Sequence, residues 1–132
     1  MFQKEVADRI VSKFNTSNYG RLSIISNWKL NIKKICDIKP ESFSPKPKVD
    51  SSLLCFYPKI NFTKIKNPKN LEKLTRIFFN QRRKMIKKPF NQLFNGNKKI
   101  IEKLNIDLAL RPQNLDFETY YKLVNEYENL RS

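Results

Sequence analysis

Apolar residues Val6, Ile10 and Phe14 recur every four positions with Lys4, Glu5, Asp8 and Arg9 on the other faces, so residues 3–14 read as an amphipathic helix. Polar residues 15–18 break the pattern. A second helix is predicted over 19–29, with Leu22, Ile25 and Trp28 as its packing face. Residues 31–38 alternate imperfectly in the manner of a strand, which Pro40 ends. Pro40, Pro45 and Pro47 make residues 40–48 an extended, stiff loop. Residues 49–57, rich in Leu, Cys, Phe and Tyr, read as a largely buried strand. Two helices followed by two strands form the end of an α/β unit, because a lone hairpin cannot bury both of its own faces.

The second half of the chain is helical. Asn67 followed by Pro68 is a helix-start signal, an N-cap with proline at the first helical position. The helix it opens is predicted over 68–87, with Pro89 stopping it. Leu71, Leu74, Phe78 and Met85 would form its buried stripe, and Lys73, Arg76, Asn80, Arg83, Lys84 and Lys87 would fall together on an opposite arc of about 100°. A short helix is predicted over 97–105, after Gly96. Asp116 is a natural N-cap for the last helix, with Leu115 and Tyr120 stapled across it and Phe117, Tyr120, Val124 and Tyr127 as its core face.

Charge changes the picture. The 132 residues carry 27 basic and 12 acidic groups, a net charge of +15, which points to a polyanionic partner. The excess is local: net +5 over residues 1–58, +12 over 59–103 and −2 over 104–132. A cationic helix face is ordinarily a solvated one. Here Lys73, Arg76, Arg83, Lys84 and Lys87 share an arc without a carboxylate, so like charges repel by about 0.2–0.5 kcal/mol per pair and phosphate binding is the favoured reading. Arg82 projects toward the apolar side of the wheel, which leaves snorkelling or pairing across a domain boundary open.

Candidate chemistry is mostly excluded. The chain has no histidine, which removes imidazole bases, Ser-His-Asp and Cys-His nucleophiles and His-ligated zinc. Its two glycines, Gly20 and Gly96, cannot build a phosphate-cradling loop. Cys36 and Cys55 lack metal-ligand spacing and are expected as small buried hydrophobes in a reducing compartment, and a cytoplasmic location follows. No apolar stretch approaches the roughly 20 residues of a membrane span, and no metal or membrane partner is expected. The proline-rich loop presents Phe43, either to stack on a base or to plug the core beneath the sheet.

Five blocks in order, MFQKEVADRI at 1–10, YGRLS at 19–23, FxPxPKVDS at 43–51, FNQRRK at 79–84 and Arg111-Pro112, resemble the bacterial small-subunit ribosomal RNA adenine dimethyltransferases. FxPxPKVDS and FNQRRK are unusual enough to make the resemblance specific. It implies an α+β fragment: the C-terminal end of a Rossmann-like methyltransferase domain (two helices and a β-hairpin) at 1–58, a basic linker at 59–67, and a small all-α ribosomal-RNA-docking domain at 68–132. The family's glycine-rich cofactor loop, acidic ribose-binding residue and Asn-Leu-Pro-Tyr motif match nothing in this chain, so no catalytic residue is assigned here. The resemblance gives Phe43 the role of stacking on the flipped target adenine, in a loop shaped by Pro45 and Pro47. It assigns Arg82, Arg83 and Lys84 to a basic helix that touches ribosomal RNA, and Lys87, Arg76 and Lys73 extend that surface. Lys4, Arg9 and Arg21 lie in matched blocks without an assigned contact.

The expected activity is therefore that of the whole family enzyme, which transfers methyl groups from S-adenosylmethionine to N6 of two adjacent adenosines near the 3′ end of 16S RNA. This chain alone is expected to be inactive and to bind no cofactor. Its partner would be 16S ribosomal RNA or the small-subunit precursor, with no DNA, and the protein is expected to be monomeric apart from the ribosome. The alternative is a stand-alone RNA-binding or ribosome-assembly module without catalysis.

Overall fold

The computed structural model describes residues 1–42, 44–45 and 48–131. A two-residue strand β1 (Phe2–Gln3) leads into helix α1 (Lys4–Val11), followed by α2 (Arg21–Ser26), β2 (Leu30–Ile38), a single 3-10 turn (Pro40–Ser42) and β3 (Ser51–Pro58). The chain then turns helical through α3 (Pro68–Phe79), α4 (Lys87–Phe94), α5 (Lys98–Leu104), a second 3-10 turn (Pro112–Asn114) and α6 (Phe117–Arg131). The predicted α+β class holds, with a β-hairpin behind two helices and an all-α second half.

The three strands are antiparallel in the order β1-β3-β2. β2 and β3 pair along their lengths from Leu30 opposite Pro58 to Ile38 opposite Ser51, with a bulge between Lys34 and Cys36 that leaves Ile35 unpaired. β1 pairs only with Ser51 and Ser52. α1 covers one face of this sheet, where Ala7, Ile10 and Leu54 are buried against Phe2, Val6, Val11 and Ile32. Because side chains alternate along a strand, covering one face leaves others outside: Ile35, Leu53 and Tyr57 are exposed. The expectation of a largely buried second strand is corrected accordingly. Cys36 is exposed and Cys55 half-buried, so neither is the buried hydrophobe expected from its apolar neighbours.

The larger core joins the two halves of the chain. Tyr19, Ile24 and Trp28 pack in one cluster with Leu71, Leu74, Phe78, Ile86, Phe90, Phe94 and the inward face of α6. Of the predicted packing face, Trp28 is buried and Ile25 packs at the edge of the cluster, Leu22 is exposed, and Ile24 with Tyr19 completes the buried face. Buried polar ends are satisfied across the same seam: the Tyr19 hydroxyl donates to the Leu115 carbonyl at 2.7 Å, the Tyr121 hydroxyl to Ile24 at 2.6 Å and Trp28 Nε1 to Thr63 at 2.6 Å.

Several local signals act as predicted. The Asn67 side chain accepts from the Lys69 N–H at 3.0 Å with Pro68 in the first turn. The short helix expected after Gly96 forms as α5, opened by a cap outside the predicted signals, the Asn97 side chain accepting from the N–H groups of Lys99 and Ile100. Asp116 accepts from the Thr119 N–H at 2.9 Å, and Tyr120 and Leu115 are both buried beside it. The long helix predicted over 68–87 does not form. It ends at Phe79, residues 80–84 turn, and a new helix begins at Lys87.

Two facts explain the break. Ile86, fully buried, donates its N–H to the Leu110 carbonyl at 2.8 Å, a contact that a continuous helix would forbid. Pro89 then occupies the first turn of α4, where a residue needs no intrahelical donor, so it opens a helix instead of stopping one. Met85, predicted in the buried stripe, is 54% exposed as a consequence.

Candidate nucleic-acid interface

Breaking the helix at Phe79 divides the predicted cationic arc. Lys73 and Arg76 stay on α3, Asn80, Arg83 and Lys84 move into the turn, and Lys87 opens α4, so the six positions are no longer in phase on one helix. They differ in what they touch. Lys73 donates to the Tyr127 hydroxyl at 2.8 Å and lies over that ring at 5.4 Å, which engages it with α6. Arg76, Arg83, Lys84 and Lys87 are exposed, and among the described residues none of them forms an ion pair with a carboxylate. Lys88, which the sequence reading left out, is exposed in the same way.

Arg82 has a different position. Its Nη2 donates to the Ser17 carbonyl at 2.7 Å and to Thr16 at 3.4 Å, and its guanidinium lies over the Phe79 ring at 5.9 Å. It therefore spans from the middle of the 80–84 turn to the loop between α1 and α2, pairing across the two halves of the chain. Arg82 Nη1 also packs beside Gly20, at ordinary van der Waals distance from where a Cβ would stand.

Two concave surfaces result. One is an open cavity of about 490 Å3 on which Arg9, Arg21 and Arg82 converge with Ser17, Asn18 and Phe79. Arg9 donates to Glu5 at 2.9 Å and Arg21 reaches the Glu72 carbonyl at 3.5 Å, so each guanidinium is held in place by one bond. The other is a cleft of about 160 Å3 between the end of α3 and the start of α4, lined by Asn80, Gln81, Lys84, Lys88 and Gln92 over Ile77, Phe78, Met85 and Pro89. Lys88 and Gln92 share a face of α4 at i,i+4, but Lys84 reaches the cleft from the turn, so local spacing does not reveal it.

Cations near the sheet are treated differently. Lys34 sits between Asp8 at 3.1 Å and Asp37 at 2.8 Å, and Lys4 pairs with Asp8 at 3.2 Å. Burial opposes ionisation of Asp8, but the hydrogen bonds from Lys34 and Lys4 outweigh it and hold its carboxyl below the ordinary value. These two lysines are neutralised within the chain, unlike the exposed cations of the turn and α4.

Of the expected base-stacking loop, Phe43 and Pro47 lie outside the described residues. Pro45 is exposed and the peptide bond before it is cis. Among the described residues no group of three His, Cys, Asp or Glu side chains could hold a metal ion, and no helix is long and apolar enough to cross a membrane.

The helical half thus carries uncompensated cations on its turn and packs against a segment that ends in a three-stranded antiparallel sheet. Comparison with known proteins narrows the class. The family model for ribosomal RNA adenine dimethylase matches residues 1–129. Over 131 residues the chain is 72% identical to ribosomal RNA small subunit methyltransferase A of Pelagibacter ubique, covering 99% of this chain and 50% of that protein. The protein of the same name from Ehrlichia ruminantium is 43% identical over 95% of this chain. A dimethyladenosine transferase from Plasmodium falciparum superimposes with a TM-score of 0.78 at 28% identity, over 97% of this chain and 55% of that one. The 23S rRNA methyltransferase ErmE shares the fold, with a TM-score of 0.60 at 15% identity, over 96% of this chain and 52% of that one. The chain belongs to the ribosomal RNA adenine dimethylase family. It spans about half the length of the curated relatives it matches.

Proposed function

We propose that this chain supplies the RNA-docking surface and the target-base loop of a small-subunit ribosomal RNA adenine-N6,N6-dimethyltransferase. In this reading residues 1–58 complete the methyltransferase domain, 59–67 link it, and 68–132 dock on 16S RNA. The observation that carries it is the set of exposed cations Arg76, Arg83, Lys84, Lys87 and Lys88, without a carboxylate partner among the described residues. Phosphates provide the missing counter-charge, and releasing their condensed counterions drives binding. Lys73 and Arg82 contribute by holding α6 and the α1–α2 loop in place. Phe43 stacks on the target adenine once it is extruded, in the loop shaped by Pro45 and Pro47, offsetting an unstacking cost of a few kcal/mol.

S-adenosylmethionine is the methyl donor of the whole protein in this reading. The residues of this chain do not fit it by themselves: Gly20 caps α2 and Gly96 follows the end of α4, so neither forms the strand-to-helix glycine loop that a nucleoside cofactor needs. No step through the cofactor is assigned to these residues.

Titrating the chain with a hairpin from the 3′ end of 16S RNA and with duplex DNA, each at several salt concentrations, tests the reading. RNA affinity should fall steeply with salt, and Arg83→Ala/Lys84→Ala/Lys87→Ala should flatten the slope by about 2–3. Salt-independent binding, or equal preference for DNA, would overturn it. The open edge of β3 beyond Ser52, with Leu53, Phe56 and Tyr57 exposed, favours a part that pairs with further strands over a self-sufficient binding module.

A further inference from the structure

Of the FNQRRK segment, the proposed function uses the three cations and leaves Asn80 and Gln81 without a role. The structure places both in the cleft between α3 and α4, where Gln92 joins them from α4. All three carboxamides are exposed, and among the described residues none makes a side-chain hydrogen bond within the chain. An exposed amide is ordinarily a water-satisfied surface group. Three of them around one apolar floor form a donor and acceptor set with no side-chain hydrogen-bond partner among the described residues.

The rest of the cleft specifies what such a set meets. Ile77, Met85 and Pro89 give an apolar floor above the buried Phe78, and Lys84 and Lys88 place two positive charges at the same cleft with no carboxylate lining it. At about 160 Å3 it is smaller than the roughly 300–1,000 Å3 of pockets that enclose a drug-sized ligand, and a duplex cannot enter it. An unpaired nucleobase matches each wall. Its face covers apolar surface, its edge exchanges hydrogen bonds with amides that both donate and accept, and its flanking phosphates meet the lysines. An acidic peptide would use the lysines and leave the amides and the floor unmatched.

We propose that this cleft binds one unpaired base of the RNA, with Asn80, Gln81 and Gln92 at its edge and Lys84 and Lys88 on its phosphates. The inference rests on the RNA-docking reading and adds single-strand recognition to it. It makes the docking surface selective for irregular RNA.

Two hairpin RNAs of equal length, one fully paired and one carrying a single bulged nucleotide, provide the test, with binding followed by fluorescence anisotropy. Gln81→Ala/Gln92→Ala should weaken binding of the bulged hairpin by about tenfold, leaving the paired hairpin and the thermal unfolding curve unchanged. A 2-aminopurine at the bulge should change its emission on binding the unaltered chain and should do so less with the double variant. Equal binding of the two hairpins by the unaltered chain, or equal weakening by the variant, overturns the base site while the docking reading stands. Binding of neither hairpin overturns both.

Discussion

Arg82 and Arg83 are adjacent, carry the same side chain and do different things. Arg82 bonds the Ser17 and Thr16 carbonyls and lies over Phe79, whereas Arg83 is exposed and free of ion pairs among the described residues. Arg82→Ala should therefore cost about 1 kcal/mol in urea unfolding, and Arg82→Lys should recover little of it because an ammonium cannot reproduce the guanidinium's planar, multi-donor geometry. Arg83→Ala should change stability by less than about 0.5 kcal/mol and should take about 1 off the salt slope of RNA binding. Equal destabilisation by the two alanine variants would contradict the assignment. The wheel projection separated Arg82 from its neighbours. Its partners, 65 and 66 positions away, were beyond the reach of local spacing.

Glu128 shows how one side chain fixes the relation of two elements. It lies on α6, is 6% exposed, and accepts from the N–H groups of Lys66 and Asn67 at 2.9 Å each and from Asn70 Nδ2 at 2.8 Å. It thus holds the linker and the start of α3 against α6. Burial disfavours its charge, yet the hydrogen bonds from Asn70, Lys66 and Asn67 outweigh this and keep its carboxyl below the ordinary 4.5. Because the folded value is the lower one, the stabilisation is complete above the ordinary glutamate range and is lost as pH falls through the lowered value. Glu128→Gln should cost about 2 kcal/mol at pH 7, and the gap between the two proteins should close on acidification below 4.5. A gap that is constant across this pH range would rule out the carboxylate as its source. At the same helix start, Asn67→Ala should cost about 1 kcal/mol by equilibrium unfolding, since its side chain satisfies the Lys69 N–H.

Across the molecule, Trp28 from the first half shares a cluster with Phe90, Phe94 and Tyr127 from the second. Trp28 emission and far-UV circular dichroism should therefore report a single transition with one midpoint, and Phe90→Ala should lower the unfolding free energy read by both probes by the same amount, about 3–5 kcal/mol. Separate midpoints would show that the seam is not cooperative. Local signals in the sequence sufficed for the elements whose causes are local: the caps at Asn67 and Asp116, the core face of α6, the hairpin and the concentration of charge in residues 59–103. These depend on contacts within a turn or two, which spacing records. The family was legible as well, because ordered blocks such as FNQRRK survive in the linear text. Only the tertiary structure decided where α3 ends, because the burial of Ile86 and its bond to Leu110 override helix periodicity after Phe79. The same break brings Asn80, Gln81, Lys84, Lys88 and Gln92 to one cleft, and the Arg82 bridge brings Arg9 and Arg21 to another. Which strand residues face out was likewise decided by α1 covering a single face of the sheet. Burial and convergence are properties of residue pairs far apart in the chain, and a periodic pattern carries information only about near ones.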